Sequence, residues 1–263
     1  MKRGLVVSDL HAGSQFGLMP EVGVVENIIT GEEEEIKPNK GQQYLLERWN
    51  TMLDTVGRVD FCVVNGDCCD GPQKKSEGLY LRTTNLDAQV EWAATLLKQI
   101  KTKVFYVTLG SRYHTQEQQP LDRLVAEKIG AKKCGMDILQ YLKDEDVRIH
   151  YCHYVGGTRS VWMYATSPIA RDLVLLKLNE DVKRYGKVKL CVRSHRHWLV
   201  GSFFSRQIGI VTPGWQLITP HWKRFGGITP PDIGWVVIEV DDGKVNLDWS
   251  AEYAQPVSVI TSD

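Results

Sequence analysis

The chain has 263 residues, enough for one sizeable domain with a proper buried core. Lysine plus arginine equals aspartate plus glutamate at 32 each, so no net charge draws it to bulk nucleic acid, although a local basic patch remains open. Apolar stretches are too short for a signal peptide or a membrane span, and six cysteines without a CxxC pair suit reduced thiols, so a cytoplasmic protein is expected.

Residues 4–9 read as a buried strand. Residues 12–40 read as a long loop carrying the acidic run Glu32-Glu33-Glu34-Glu35. That run is either a solvated surface or a functional acidic patch, and a loop of this length after the first strand is a candidate lid. Residues 42–56 space Leu45, Leu46, Trp49, Met52, Leu53 and Val56 along one helical face. A strand at 59–65, a helix at 85–100, a strand at 103–109 and a short helix at 121–129 follow. Next come a strand at 146–153, a helix at 167–185 with Pro168 in its first turn, and a strand at 187–193. Beyond Trp198, short strands and turns dominate, including 234–240 and 244–249. Strand–helix alternation with a β-rich tail predicts an α/β sheet sandwich, and no linker divides residues 1–263.

Three apolar runs end in metal-binding side chains: Asp9-Leu10-His11, Gly66-Asp67-Cys68-Cys69-Asp70, and Ser194-His195-Arg196-His197. In extended chain, residues i and i+2 point the same way, so Asp9 with His11, and His195 with His197, can each grip one ion. Carboxylate with imidazole suits Mn, Fe, Zn or Ni. Asp70 either supports the site by hydrogen bonding or caps the turn at Gly71-Pro72. His150 and His153 differ in parity along their strand; His153 sits at its end, whereas His150 is a supporting partner or a core histidine.

In this order the segments resemble the calcineurin-like metallophosphoesterase superfamily. Its pattern runs Asp-x-His, Gly-Asp-x-x-Asp, Gly-Asn-His, a lone His, and Gly-His-x-His. The third motif departs: Gly110-Ser111-Arg112-Tyr113-His114 has no Asn, and its His arrives two residues late. Ser194 also stands where Gly is usual. The third motif and Thr212-Pro213-Gly214-Trp215-Gln216 resemble a phage- and prophage-associated subgroup.

The resemblance implies two packed β-sheets flanked by helices, with two divalent transition ions at the strand ends. Site one would use Asp9, His11, Asp67 and His197; site two would use Asp67, His153, His195 and a third-motif group. Two close dications clamp a phosphate and lower the pKa of a bridging water, so hydroxide attacks phosphorus. The implied activity is phosphoester hydrolysis, with a phosphodiester favoured and nucleotide or nucleic acid among the substrates. His114 is either the acid for the leaving group, a ligand in place of Asn, or a loop residue. Ser111 is a weak or water-mediated ligand, and Arg112 and Tyr113 are candidate phosphate contacts. Trp198 and Trp215 either stack on a substrate ring or pack the core, and His221 is a rim or surface residue. The altered third motif keeps two rival readings open: a binding scaffold that has lost catalysis, and a nuclease subunit active only within a complex.

Overall fold

The computed structural model describes residues 1–27, 29–114, 120–156, 164–181, 185–204, 206–220 and 230–253. In chain order the strands and α-helices are β1 (Lys2–Val7), β2 (Gly23–Glu26), β3 (Glu33–Ile36), α1 (Lys40–Val56), β4 (Phe61–Asn65), α2 (Leu86–Leu97), β5 (Phe105–Thr108) and α3 (Leu121–Lys128). They continue as β6 (Lys133–Gly135), β7 (Asp137–Leu142), β8 (Val147–Cys152), α4 (Ser167–Asp181), β9 (Val188–Arg193), β10 (Val200–Phe204), β11 (Gln207–Val211), β12 (Asp232–Asp241) and β13 (Lys244–Tyr253).

Two sheets form the body, in the orders β13-β12-β1-β4-β5-β6 and β10-β11-β9-β8-β7. Strands β1, β4, β5 and β6 run parallel, as do β8, β9 and β11. Side-chain alternation builds the layers. Leu5 and Val7 of β1 join Cys62 and Val64 of β4 in a core with helices α1, α2 and α3. Val6, Phe61 and Val63 face Ile149, Leu190 and Val192 between the sheets. Cys191 packs under Ile169 and Leu173 of α4. The expected sandwich of two sheets flanked by helices is therefore present.

The reading of residues 12–40 as an unstructured loop needs correction. Strands β2 and β3 pair as an antiparallel hairpin, with Val24↔Glu35 and Val25↔Glu34 in register. The hairpin docks on α2, where the Trp92 indole donates to the Val24 carbonyl at 3.1 Å. Its glutamates point to water, so β3 is an exposed strand that apolar alternation could not reveal. Strands β6 and β7 were likewise absent from the sequence reading. All six cysteines are free, and no described helix is long and apolar enough to cross a membrane.

Trp215 is the anchor that ties this core to the strand ends. It is fully buried, meets Trp49 edge-on at 5.0 Å and stacks with Trp235 at 6.4 Å, while its backbone N–H donates to the Asp9 carbonyl at 3.0 Å. Of the two readings of this ring, core packing is the one the structure bears out. Trp198 is half-buried, with its indole donating to the Pro230 carbonyl at 3.2 Å. The substitution Trp215→Ala is expected to destabilise the protein by about 3–5 kcal/mol. Trp215→Phe keeps the ring contacts and should cost much less. Urea unfolding of both variants checks this; equal losses would deny Trp215 its packing role.

Candidate metal centre

The ends of β1, β4, β5, β8 and β9 meet at one edge of the sandwich, where parallel strands leave room for a ligand. The loops beyond β1 and β4 are zipped together: Asp9 N donates to Gly66 O at 2.9 Å and His11 N to Asp67 O at 3.1 Å. Two glycines let the loops close in. At Gly66 (φ 85°) a Cβ would stand 2.6 Å from the His153 ring, and at Gly110 it would collide with the Asp67 carboxylate.

Asp9 and His11 converge, though not through strand alternation, whereas the expected pairing of His195 with His197 needs correction: His197 joins Asp9 and His11, and His195 joins Asp67 and His153. All four lie past the ends of β1 and β9 and have positive φ: 55°, 48°, 71° and 52°. Asp67 does too, at 52°. Left-handed backbone costs on the order of 1–2 kcal/mol per residue, although Asp and His tolerate it better than most. Five such residues at one spot are held by the surrounding packing and hydrogen bonds.

Three groups of side chains bring potential ligand atoms within 4.8 Å of one another: Asp9, His11 and His197; His11, Asp67 and His114; and Asp67, His153 and His195. His11 Nε2 faces His197 Nε2 at 3.4 Å, and His153 Nε2 faces His195 Nδ1 at 3.3 Å. Asp67 lies 3.0 Å from His153 Nε2 through Oδ2, while its Oδ1 accepts from Ser111 N at 2.7 Å. The Ser111 hydroxyl also reaches Asp67, at 3.1 Å from Oδ2.

The far nitrogens of these rings are occupied. His11 Nδ1 lies 3.0 Å from Asp70 Oδ1, and His153 Nδ1 lies 2.7 Å from the Asn65 carbonyl. Such partners fix a tautomer that leaves Nε2 able to bind an ion. Asp70 thus supports the site: it also holds His114, whose Nδ1 lies 2.8 Å from its carbonyl, and it bonds the Gln73 amide.

The donor set fits divalent ions by its own chemistry. Asp9, Asp67 and Asp70 are buried, and their ion-pair partners are all imidazoles. Asp9 Oδ1 is buried with His197 Nε2 3.1 Å away, and both belong to a group of side chains that could hold an ion. Burial would raise the carboxylates, but His197 and His153 hold Asp9, and His153 and His114 hold Asp67, well below the usual range. Burial would lower His153, yet Asp67 and Asp9 raise it to about 10. Likewise Asp67 and Asp70 outweigh burial at His114 and raise it to about 9. His11 moves the other way, lowered by burial and by His114.

The structure places the remaining candidates outside these groups. His150 sits beneath α4, 3.1 Å from both Asp137 and Arg193, and burial with the Arg193 charge lowers it to about 4. Arg112 is exposed in a 3₁₀ turn, Arg112–His114. His221 falls outside the described residues. Sequence reasoning overlooked Asn65, Asp122 and Thr212. Asp122 accepts from Cys68 N at 2.9 Å and Gly110 N at 2.7 Å, and so pins the second and third motifs together. Its place in the first turn of α3 offered no signal beyond an ordinary helix start.

The strand ends of a two-sheet sandwich flanked by helices carry these residues. No family model and no curated protein matches the chain. Among solved structures, it is similar to a predicted phosphoesterase from Streptococcus pneumoniae, with 12% identity and a TM-score of 0.42 over 95% of this chain and 89% of that one. It is also similar to Vps29 of Entamoeba histolytica in complex with zinc, with 13% identity and a TM-score of 0.46 over 95% and 98%. A third is an archaeal phosphodiesterase, with 10% identity and a TM-score of 0.45 over 94% and 99%.

The contrast between the two histidines of β8 and its end is testable. His153→Ala should weaken metal uptake markedly, whereas His150→Ala should leave it nearly unchanged. Parallel metal titrations followed by calorimetry check this, and the reverse ranking would move the site to the outer face of the sheet.

Proposed function

We propose that the chain is a metal-dependent phosphoesterase of the calcineurin-like metallophosphoesterase superfamily, hydrolysing a phosphodiester at a two-ion centre. The observation that carries this reading is the convergence of Asp9, Asp67 and Asp70 with five imidazoles at one strand edge, Asp67 belonging to two of the groups. Asp9, His11, Asp67 and His197 would hold one ion; Asp67, His153 and His195 would hold the other. Mn, Fe, Zn and Ni suit such oxygen and nitrogen donors. When bound, the ions would polarise the phosphate and make water a competent nucleophile near neutral pH.

The chain's own contribution is orientation and proton delivery. Asp70 and the Asn65 carbonyl set the tautomers of His11 and His153. Ser111 steadies Asp67 from the strand β5 side. His114 is assigned the acid role. Its grouping with His11 and Asp67 rather than with His153 and His195 favours that role over a ligand in place of the missing Asn. Asp70 holds its Nδ1, which leaves Nε2 to give a proton to the departing alkoxide. The preference for a diester rests on the resemblance.

After loading with Mn, elemental analysis should find about two ions per chain. Asp67→Asn should retain the fold and lose turnover of bis(p-nitrophenyl) phosphate. Fewer than one ion per chain, or normal turnover in Asp67→Asn, would overturn the two-ion reading.

His114→Ala should slow esters with poor leaving groups by roughly 10²–10⁴-fold. It should slow a nitrophenyl ester far less, because nitrophenolate leaves without protonation. Equal losses on both, together with lost metal, would make His114 a ligand.

A further inference from the structure

Two tyrosines stand beside opposite ends of the donor set. The Tyr113 ring meets His114 edge-on with centroids 4.9 Å apart, and Tyr113 is 42% exposed. The Tyr154 ring leans on His195 at 5.1 Å, and Tyr154 is 59% exposed. His114 groups with His11 and Asp67, whereas His195 groups with His153. A single exposed aromatic ring needs no explanation. Two that each rest on an imidazole of the same centre, one per end, form the side walls of a site.

We infer, on the basis of the phosphodiesterase reading, that Tyr113 and Tyr154 are specificity residues that stack on the two ester groups of the substrate. The substrate class is then a phosphodiester with an aromatic ring system on each side of phosphorus, of the dinucleotide kind. Every base has a π-face, so such walls tolerate sequence. Charge argues for a short diester over a long polyanion. The chain is neutral, and Arg148, Lys187, Lys189 and Arg206, together with Glu145 and Asp146, line a cavity at the other end of the second sheet. Lys187 and Lys189 flank the start of β9, and His195 follows its end, a strand length of about 17 Å away. A strand held by those cations would run away from the centre.

The test uses Mn-loaded protein and dithymidine monophosphate, with bis(p-nitrophenyl) phosphate as a reference for activity. Tyr113→Ala and Tyr154→Ala should each raise KM for the dinucleotide roughly ten- to a hundredfold with little change in kcat. Tyr113→Phe and Tyr154→Phe should raise KM far less than the alanine variants, because the ring is retained. Calorimetric titration with phosphorothioate-linked dithymidine should show the same loss of affinity. Unchanged KM and affinity in both alanine variants, or a wild-type enzyme that cleaves bis(p-nitrophenyl) phosphate but not dithymidine monophosphate, would overturn the inference. A wild-type enzyme that cleaves neither ester would instead sink the phosphodiesterase reading itself.

Discussion

Buried negative charge is the constraint on which the rest of this structure depends. Asp9, Asp67 and Asp70 lie out of water at one sheet edge, where an isolated carboxylate costs several kcal/mol to desolvate. Among the described residues no lysine or arginine pairs with them. Imidazoles do, and an imidazole can carry a proton or yield its lone pair to a cation. The arrangement is therefore matched to added positive charge, in protons or in metal ions. The left-handed backbone at five of these residues follows from the same demand. Side chains from separate loops reach one point only if the chain turns sharply as each strand ends.

A polar chain beneath the centre keeps the two sheets in step. Thr108 donates to Asn65 Oδ1 at 2.8 Å, and Asn65 Nδ2 donates to the Ser194 hydroxyl at 2.7 Å. Ser194 and Ser8 both meet the Thr212 hydroxyl, at 2.7 and 2.8 Å. The chain links the ends of β5 and β4 to those of β9, β11 and β1. The Ser194 hydroxyl is thus a junction between the sheets. Thr212 and Gln216, with Trp215 between them, make the segment after β11 a clamp on the Asp9 and Asp70 loops.

Much of the fold was legible because apolar runs of β1, β4 and β9 are buried on both faces and read as strands without ambiguity. Helix α1 was legible from its spacing, down to an end at Val56. The hairpin of β2 and β3 was not, since its glutamates face water and its stability comes from α2. Trp215 follows a site loop in sequence, and only the structure decided between its two readings, with its ring in the core between Trp49 and Trp235. Tyr113 belongs to the third motif, whereas Tyr154 carried no motif.

By itself the sequence determined the candidate ligands, because carboxylate and imidazole at strand ends are a chemical property of the residues. It also determined that His153 and His150 face opposite ways, since side-chain parity along a strand is local. The i, i+2 rule reached Asp9 with His11 through the wrong geometry, as both lie in left-handed turns beyond the strand, and it failed for His195 and His197, which fall in different groups of potential ligands. Only the tertiary structure decided that Asp70 holds His11 and His114 rather than merely capping a turn, that His114 stands beside His11 and Asp67, and that Asn65 and Asp122 secure the loops. Those relations span 44 to 88 residues of chain, and no local preference of the backbone encodes a contact between segments so far apart.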